Sequence, residues 1–172
     1  MQVRERGGAG HRPLYTAEER RRRDASRWTL VQGVLAPLQF AVFLVSLYLV
    51  LNYLASGQGQ LAATVSIVVK TLILYTIMIT GSLWERDVFG RYLFAPAFYW
   101  EDVVSMLVLA LHTGYLVALV SGALDVRSQM LLALAAYAAY VVNATQFVVK
   151  LRAARREGRR ARDAAPALGL AE

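Results

Sequence analysis

No Asp, Glu, Lys or Arg occurs across residues 28–69, 71–84, 103–124 or 128–149. A helix needs roughly 20 apolar residues to cross the hydrocarbon core of a bilayer. The first stretch holds one crossing, a short turn and most of a second, and the others complete four. At 57% apolar residues in a chain of 172, the composition also exceeds the roughly 45–50% usual for a soluble domain. The expected fold is therefore all-α and polytopic. Four transmembrane helices fall near 28–53, 61–83, 97–121 and 130–151.

Charge divides the rest. The 19 Lys and Arg against 12 Asp and Glu sit mostly in the two tails beside hydrophobic spans. That arrangement sets orientation and meets anionic head groups, so no nucleic-acid partner is expected. The turns at 55–60 and 122–129 are nearly neutral, whereas both tails and the 85–91 loop are charged. Both termini are thus expected on the cytoplasmic side. Three regions result: a basic segment at 1–27, the transmembrane domain at 28–151, and a basic, Ala-rich tail at 152–172 expected to lack structure. Residues 1–12, with His11, are expected to be solvated and disordered. From Thr16, an N-cap followed by Glu18 and Glu19, a short amphipathic helix or a simple basic anchor should lie on the membrane surface. Residues 1–27 hold no apolar core of the signal-peptide kind, so the first span is expected to direct its own insertion. There is no Cys, which excludes disulfides, thiolate nucleophiles and Cys-ligated zinc or iron–sulfur centres.

Polar residues inside such spans carry the functional information. Residues 84–102 gather Glu85, Asp87, Glu101 and Asp102, Arg86 and Arg91, and a run of aromatics that includes Trp84, Phe98, Tyr99 and Trp100. In the first helix Gln32, Gln39 and Ser46 recur every seven residues, either for interhelical hydrogen bonds or for substrate. Lys70 is the one charge inside the second helix, free to snorkel, pair or meet a substrate. Glu101, Ser105, Val108, His112 and Tyr115 share one face of the third helix, with Asp102 about 100° away, and His112 level with Lys70. In the fourth, Tyr140, Asn143, Gln146 and Lys150 share a face, and alanines at 133–139 permit close approach. Helix directions bring Gln32, Glu101, Asp102, Asn143 and Gln146 beside Glu85, Arg86, Asp87 and Arg91. Carboxylates crowded in a poorly solvated layer cannot all stay ionised, and acid–base chemistry needs one protonated and one charged. A solvated, salt-bridged helix cap is the alternative for Glu85, Arg86, Asp87 and Arg91. One membrane histidine makes a poor zinc or bis-histidine haem set, though His112 could approach the magnesium of a chlorophyll-type ring. There is no GxGxxG, P-loop or nucleophile elbow, and no internal repeat.

Longer strings carry a resemblance. Residues 14–25 (LYTAEERRRRDA), 28–40 (WTLVQGVLAPLQF), 84–91 (WERDVFGR), 94–102 (FAPAFYWED) and 140–147 (YVVNATQF) resemble the 3-vinyl (formerly 2-vinyl) bacteriochlorophyllide hydratases of phototrophic bacteria, over about 13–155. The resemblance implies addition of water to the ring A vinyl of chlorophyllide a, or of its bacteriochlorin counterpart, giving a 1-hydroxyethyl group. It implies a multi-pass protein of the bacterial inner or photosynthetic membrane. Its partners are pigment, lipid and, by expectation, neighbouring pigment-biosynthesis enzymes. It implies no cofactor, magnesium entering only with the substrate. For that chemistry Glu101 or Asp102 is the expected proton donor, the other or His112 the acceptor, with Glu85 beside them. Trp84, Phe98, Tyr99 and Trp100 are expected to stack on the macrocycle, and Arg86 or Arg91 to pair with its propionate. Gln32, Gln39, Lys70, Asn143 and Gln146 are further candidates for substrate contact. A non-catalytic chlorophyllide carrier or assembly factor is the alternative, since the same pocket serves binding and catalysis.

Overall fold

The computed structural model describes residues 14–167, the side chains of 157 and 160–167 apart. The expectations for 1–12 and for the last residues of the tail lie outside that range. Within it the chain is helical, with α1 at Ala17–Ala25, α2 at Arg27–Ser56, α3 at Gln60–Phe89, α4 at Tyr99–Ser121 and α5 at Val126–Ala167. Helices α2 to α5 are each long and apolar enough to span a bilayer. The four expected spans are all present.

Two antiparallel hairpins make the bundle. Along α2 and α3 the register is set by Trp84 Nε1 donating to Thr29 Oγ1 (2.9 Å), Gln32 Nε2 donating to Thr80 Oγ1 (2.7 Å) and the Ser46–Ser66 hydroxyl pair (2.7 Å). Along α4 and α5 it is set by Lys150 on Glu101, Asn143 on Ser105 and the His112 and Tyr137 rings. The hairpins meet where Phe43 packs on Tyr137 and Tyr140, and where the Tyr137 hydroxyl lies 2.5 Å from Ser46 Oγ. Lipid tails are as apolar as leucine, so helices associate in a bilayer through close packing and hydrogen bonds. The buried Ala133 and Ala136, in one core cluster with Tyr115, Phe43 and Ile67, meet the first need. The serine and glutamine contacts meet the second. Leu30, Val34, Leu61, Val117 and Val120 point outward, towards where acyl chains would lie.

Helix ends depart from the sequence expectation. Helix α3 runs to Phe89, so Glu85, Arg86 and Asp87 form its last turns and are not loop residues. It stops at Gly90, whose φ of +74° lets its amide return to the Arg86 carbonyl, a conformation that costs a side chain about 1–2 kcal/mol. Helix α5 does not end near Leu151 but continues through the basic stretch to Ala167. At its other end Asp125 accepts from the Ser128 amide (3.0 Å) and hydroxyl (2.6 Å), and these bonds hold the Asp125 carboxyl below its ordinary value. In α1 a capping box is closed by Thr16 and Glu19, and Glu18 pairs with Arg22. None of its residues is buried.

Before α1, Tyr15 tucks under the bundle. Its ring stacks on Phe89 (5.8 Å, 11°) and tilts against Phe98, and with Val88 these residues form a second core at the charged end. Burial raises the Tyr15 phenol to about 12, against the opposing pull of Arg23.

Candidate functional site

The loop from Gly90 to Phe98 connects α3 to α4 and brings two carboxyls together. Phe94 sits at φ +58°, a left-handed conformation that costs a bulky residue on the order of 1–3 kcal/mol and persists only where its surroundings hold it. What holds it is a pair of successive amides aimed at two acids. The Phe94 amide donates to Asp102 Oδ2 at 2.7 Å, and the Ala95 amide donates to Glu85 Oε2 at 3.2 Å. Successive amides thus hold the Glu85 and Asp102 carboxyls beside each other, and both are buried. Two buried carboxylates held next to each other repel and are poorly solvated, which disfavours ionising both. The arrangement suits one proton shared by the pair.

One residue along α4, Glu101 has a different partner. Its Oε2 accepts from Lys150 Nζ at 2.5 Å, and the same ammonium lies 5.0 Å from the centre of the Phe98 ring. Glu101, Thr145, Gln146, Val149, Lys150 and Ala153 line an open groove of about 440 Å³ along α5. One turn deeper, Asn143 Nδ2 donates to Ser105 Oγ at 2.6 Å. The site thus pairs a proton-sharing dyad with a carboxylate held by a cation. That is the division of labour general acid and base catalysis needs.

The remaining expectations divide. Gln32, Asn143 and Gln146 join or border this layer. Gln32 is committed to Thr80 and the Ile77 carbonyl, so it holds helices together and is not free for a substrate. Asp102 is turned from Glu101, as its spacing predicts, and faces α3 and the 90–98 loop, where Glu85 lies. Phe98 cannot stack on a pigment. It is enclosed by Tyr15, Trp84, Phe89 and Phe147. Trp84 belongs to the same seal, its ring nitrogen spent on Thr29. Tyr99 and Trp100 are exposed, Trp100 at 69%, and keep open faces. Arg86 lies 5.0 Å over Tyr92, and Arg86 and Arg91 are both exposed. Asp87 accepts from Ser26 Oγ at 2.9 Å.

His112 and Lys70 do meet, as their depths predict, but away from this layer. Eleven residues separate His112 from Glu101, about 16 Å along a helix. Its Nδ1 is bonded to the Val108 carbonyl (2.8 Å) and its Nε2 to Lys70 Nζ (3.0 Å). With both nitrogens engaged and no exposure, it can neither take a proton from water at the vinyl nor reach a pigment's magnesium. Lys70 does not snorkel. It is 0% exposed, boxed by the rings of Tyr140 (4.2 Å), Tyr137 (5.0 Å) and Phe43 (5.9 Å). A substrate cannot reach it.

The family model described as 2-vinyl bacteriochlorophyllide hydratase (BCHF) matches residues 15–153. The chain belongs to this hydratase family. A protein of Cereibacter sphaeroides named 2-vinyl bacteriochlorophyllide hydratase is 66% identical over 147 residues, which cover 86% of this chain and 91% of that one. One of the same name from Rhodobacter capsulatus is 65% identical over 142 residues, covering 83% and 82%. No solved structure matches. Membership makes the chain a hydratase, a hydro-lyase of bacteriochlorophyll biosynthesis. The hydratase match spans the whole layer from Glu85 to Lys150. Two of its residues escape sequence reasoning. Lys150 falls on the right face of its helix without a role that spacing alone assigns, and its signal is the pattern that puts Asn143, Gln146 and Lys150 opposite Ser105 and Glu101 in an antiparallel pair. Tyr15, which seals the site from below, gives no signal beyond being an aromatic before a charged helix.

Proposed function

We propose that the chain adds water to the C3 vinyl group of chlorophyllide a, or of its bacteriochlorin counterpart, giving the 3-(1-hydroxyethyl) pigment. The reaction is a Markovnikov hydration. The proton held by Glu85 and Asp102 passes from Asp102 to the terminal vinyl carbon, leaving positive charge on the carbon next to the macrocycle, where the conjugated ring spreads it. Water oxygen then bonds to that carbon and one water proton goes to Glu101. Return of this proton from Glu101 to the neighbouring dyad restores the starting state. Atoms and charge balance, and no electrons are exchanged with a second reactant. Lys150 holds the Glu101 carboxylate by a direct ion pair, and that carboxylate lies where it can stabilise the developing cation.

The groove is too small for a whole tetrapyrrole. It would take the vinyl-bearing edge, while Tyr99 and Trp100, next to Glu101 in sequence, offer ring faces to the rest. Arg86 and Arg91, exposed at the same end of the bundle, suit the propionate. That end would face the cytoplasm of a bacterial inner or photosynthetic membrane, because Arg20 to Arg23, Arg86, Arg91, Arg152, Arg155 and Arg156 all collect there.

The observation that carries this reading is the pair of successive amides that holds two buried carboxyls together at the residue next to a groove-lining carboxylate. The test is purified protein in lipid nanodiscs with chlorophyllide a, read by a mass gain of one water and a blue shift of the red-most absorption band. Asp102→Asn and Glu101→Gln should each lower turnover by about 100-fold or more while pigment still binds. Undiminished turnover in Asp102→Asn removes the dyad from the mechanism. Pigment binding by the wild type without any mass gain would make the protein a carrier.

A further inference from the structure

Most polar side chains inside the bundle have partners, and a small group does not. Gln39, 2% exposed, has neither its Nε2 nor its Oε1 hydrogen-bonded to any described residue, and Asn143 Oδ1 and Gln146 Oε1 are buried in the same condition. The Tyr15 and Tyr115 hydroxyls are also buried without a partner, elsewhere in the fold, but the amide atoms are not scattered. Phe43 of α2 meets Tyr140 of α5. Gln39 is four residues before Phe43 and Asn143 three after Tyr140, so the two amides face each other at one level of an antiparallel pair. Gln146 is the next residue on that α5 face and lines the groove beside Glu101. Asn143 is tied to Ser105, one turn above Glu101. Three amides thus climb from the groove floor into the bundle within about two helical turns. Above them the Lys70, Phe43 and Tyr140 cluster closes the way.

Native proteins rarely leave such groups unpaired, and where side chains cannot serve, ordered water does. We infer that Gln146, Asn143 and Gln39 hold an internal file of water that feeds the nucleophilic water to the groove from inside the bundle. The inference rests on the hydration chemistry proposed above and deepens it. A pigment edge filling the groove from the lipid side would displace bulk water from the reacting carbon. A hydratase must therefore supply its second substrate from another direction, and the amides lead from the interior to Glu101, the carboxylate assigned to take the water proton. Each amide offers both a donor and an acceptor, so water can pass between them without losing a hydrogen bond. Hydroxyls at the same level are already bound elsewhere, Thr71 to the Ile67 carbonyl and Ser105 to Asn143.

The test is X-ray radiolytic labelling of the full-length protein in nanodiscs in ¹⁸O water, run beside the turnover assay on wild type, Gln39→Leu and Asn143→Leu. Radiolysis modifies a buried ring only where bound water touches it. Wild-type Phe43 should incorporate ¹⁸O although it lies inside the bundle at 4% exposure, and each variant should lose most of that label. In each, kcat should fall about tenfold with the pigment Kd unchanged, a split that general loosening of the bundle would not give. No label on Phe43 in the wild type overturns the water file, whatever the variants do. Variants that lose the label yet keep wild-type kcat overturn its delivery role. The two readings fail separately: if chlorophyllide is not the substrate, wild-type turnover is absent while the label remains.

Discussion

The site turns on residues whose neighbours are supplied by other helices, which is why part of it is legible in the sequence and part is not. Glu85, Glu101 and Asp102 stand out because acids beside long apolar runs are costly unless they are used. Lys150 does not, since spacing along one helix says which face a residue shares and not what lies across from it. Removing that cation by Lys150→Met should cut turnover about 10- to 100-fold, by the general measure of acid–base catalysis, and Lys150→Arg should restore much of it; equal activity in all three proteins would leave the ion pair without a role. His112 is no acceptor, and the arithmetic already says so: the count that sets it level with Lys70 also sets it three turns from Glu101. Phe98 and Trp84 mislead because an aromatic at a membrane boundary can grip a ligand or seal a core, and only coordinates show that Tyr15 and Phe147 complete the seal. Tyr15 gives a pH test of that seal. Its phenol is raised by burial from 10.0 to about 12, so folding favours the neutral form. Its contribution is complete below pH 10, and is lost as pH rises through 12. Emission of Trp84, with Trp28 and Trp100 replaced by Phe, should report release of the segment over that window, and Tyr15→Phe should abolish the step.

Helix number and order follow from hydrophobic runs alone, but helix ends do not, because a charged turn continues a helix as readily as an apolar one. Helix α3 carries Glu85, Arg86 and Asp87 to its end, with nothing to break it until Gly90. Helix α5 continues through a stretch made mostly of Ala, Arg and Glu, good helix formers, and passes Gly158 and Asp163 before Pro166 near its end. What stops α3 has a measurable cost. Gly90 has open space where a methyl group would stand but a φ of +74°, whereas Gly114, inside α4, has open space and an ordinary helical φ. The same substitution should therefore act in opposite directions. Gly90→Ala should destabilise by about 1–2 kcal/mol and loosen the loop that carries Phe94 and Ala95 to the dyad. Gly114→Ala should stabilise by roughly 0.5–1 kcal/mol. Denaturation of the two variants in mixed micelles checks the pair. A loss of similar size at both would mean that space, and not backbone conformation, decides.

Across the whole molecule the polar residues fall into two storeys. The lower storey holds the acids, Lys150 and the arginine-rich ends. With four spans the two ends of the transmembrane region lie on one side, and a reporter fused after residue 172 should be active as a cytoplasmic fusion and silent as an exported one. The upper storey is Lys70 and His112, fully enclosed, with no carboxylate facing Lys70 among the described residues. It gives the sharpest test of what holds the bundle together, because a buried polar pair costs most when halved. His112→Leu strands the Lys70 amine among three rings and should cost about 3 kcal/mol. Lys70→Met strands only the His112 Nε2 and should cost about 1–2 kcal/mol. The double variant strands neither, since Met and Leu can fill the space between Phe43, Tyr137 and Tyr140 with apolar atoms. It should be more stable than His112→Leu alone, by an amount that denaturant titration in bicelles can resolve. Additive losses would mean that the 3.0 Å contact carries no coupling, and that aromatic packing alone keeps the lysine inside.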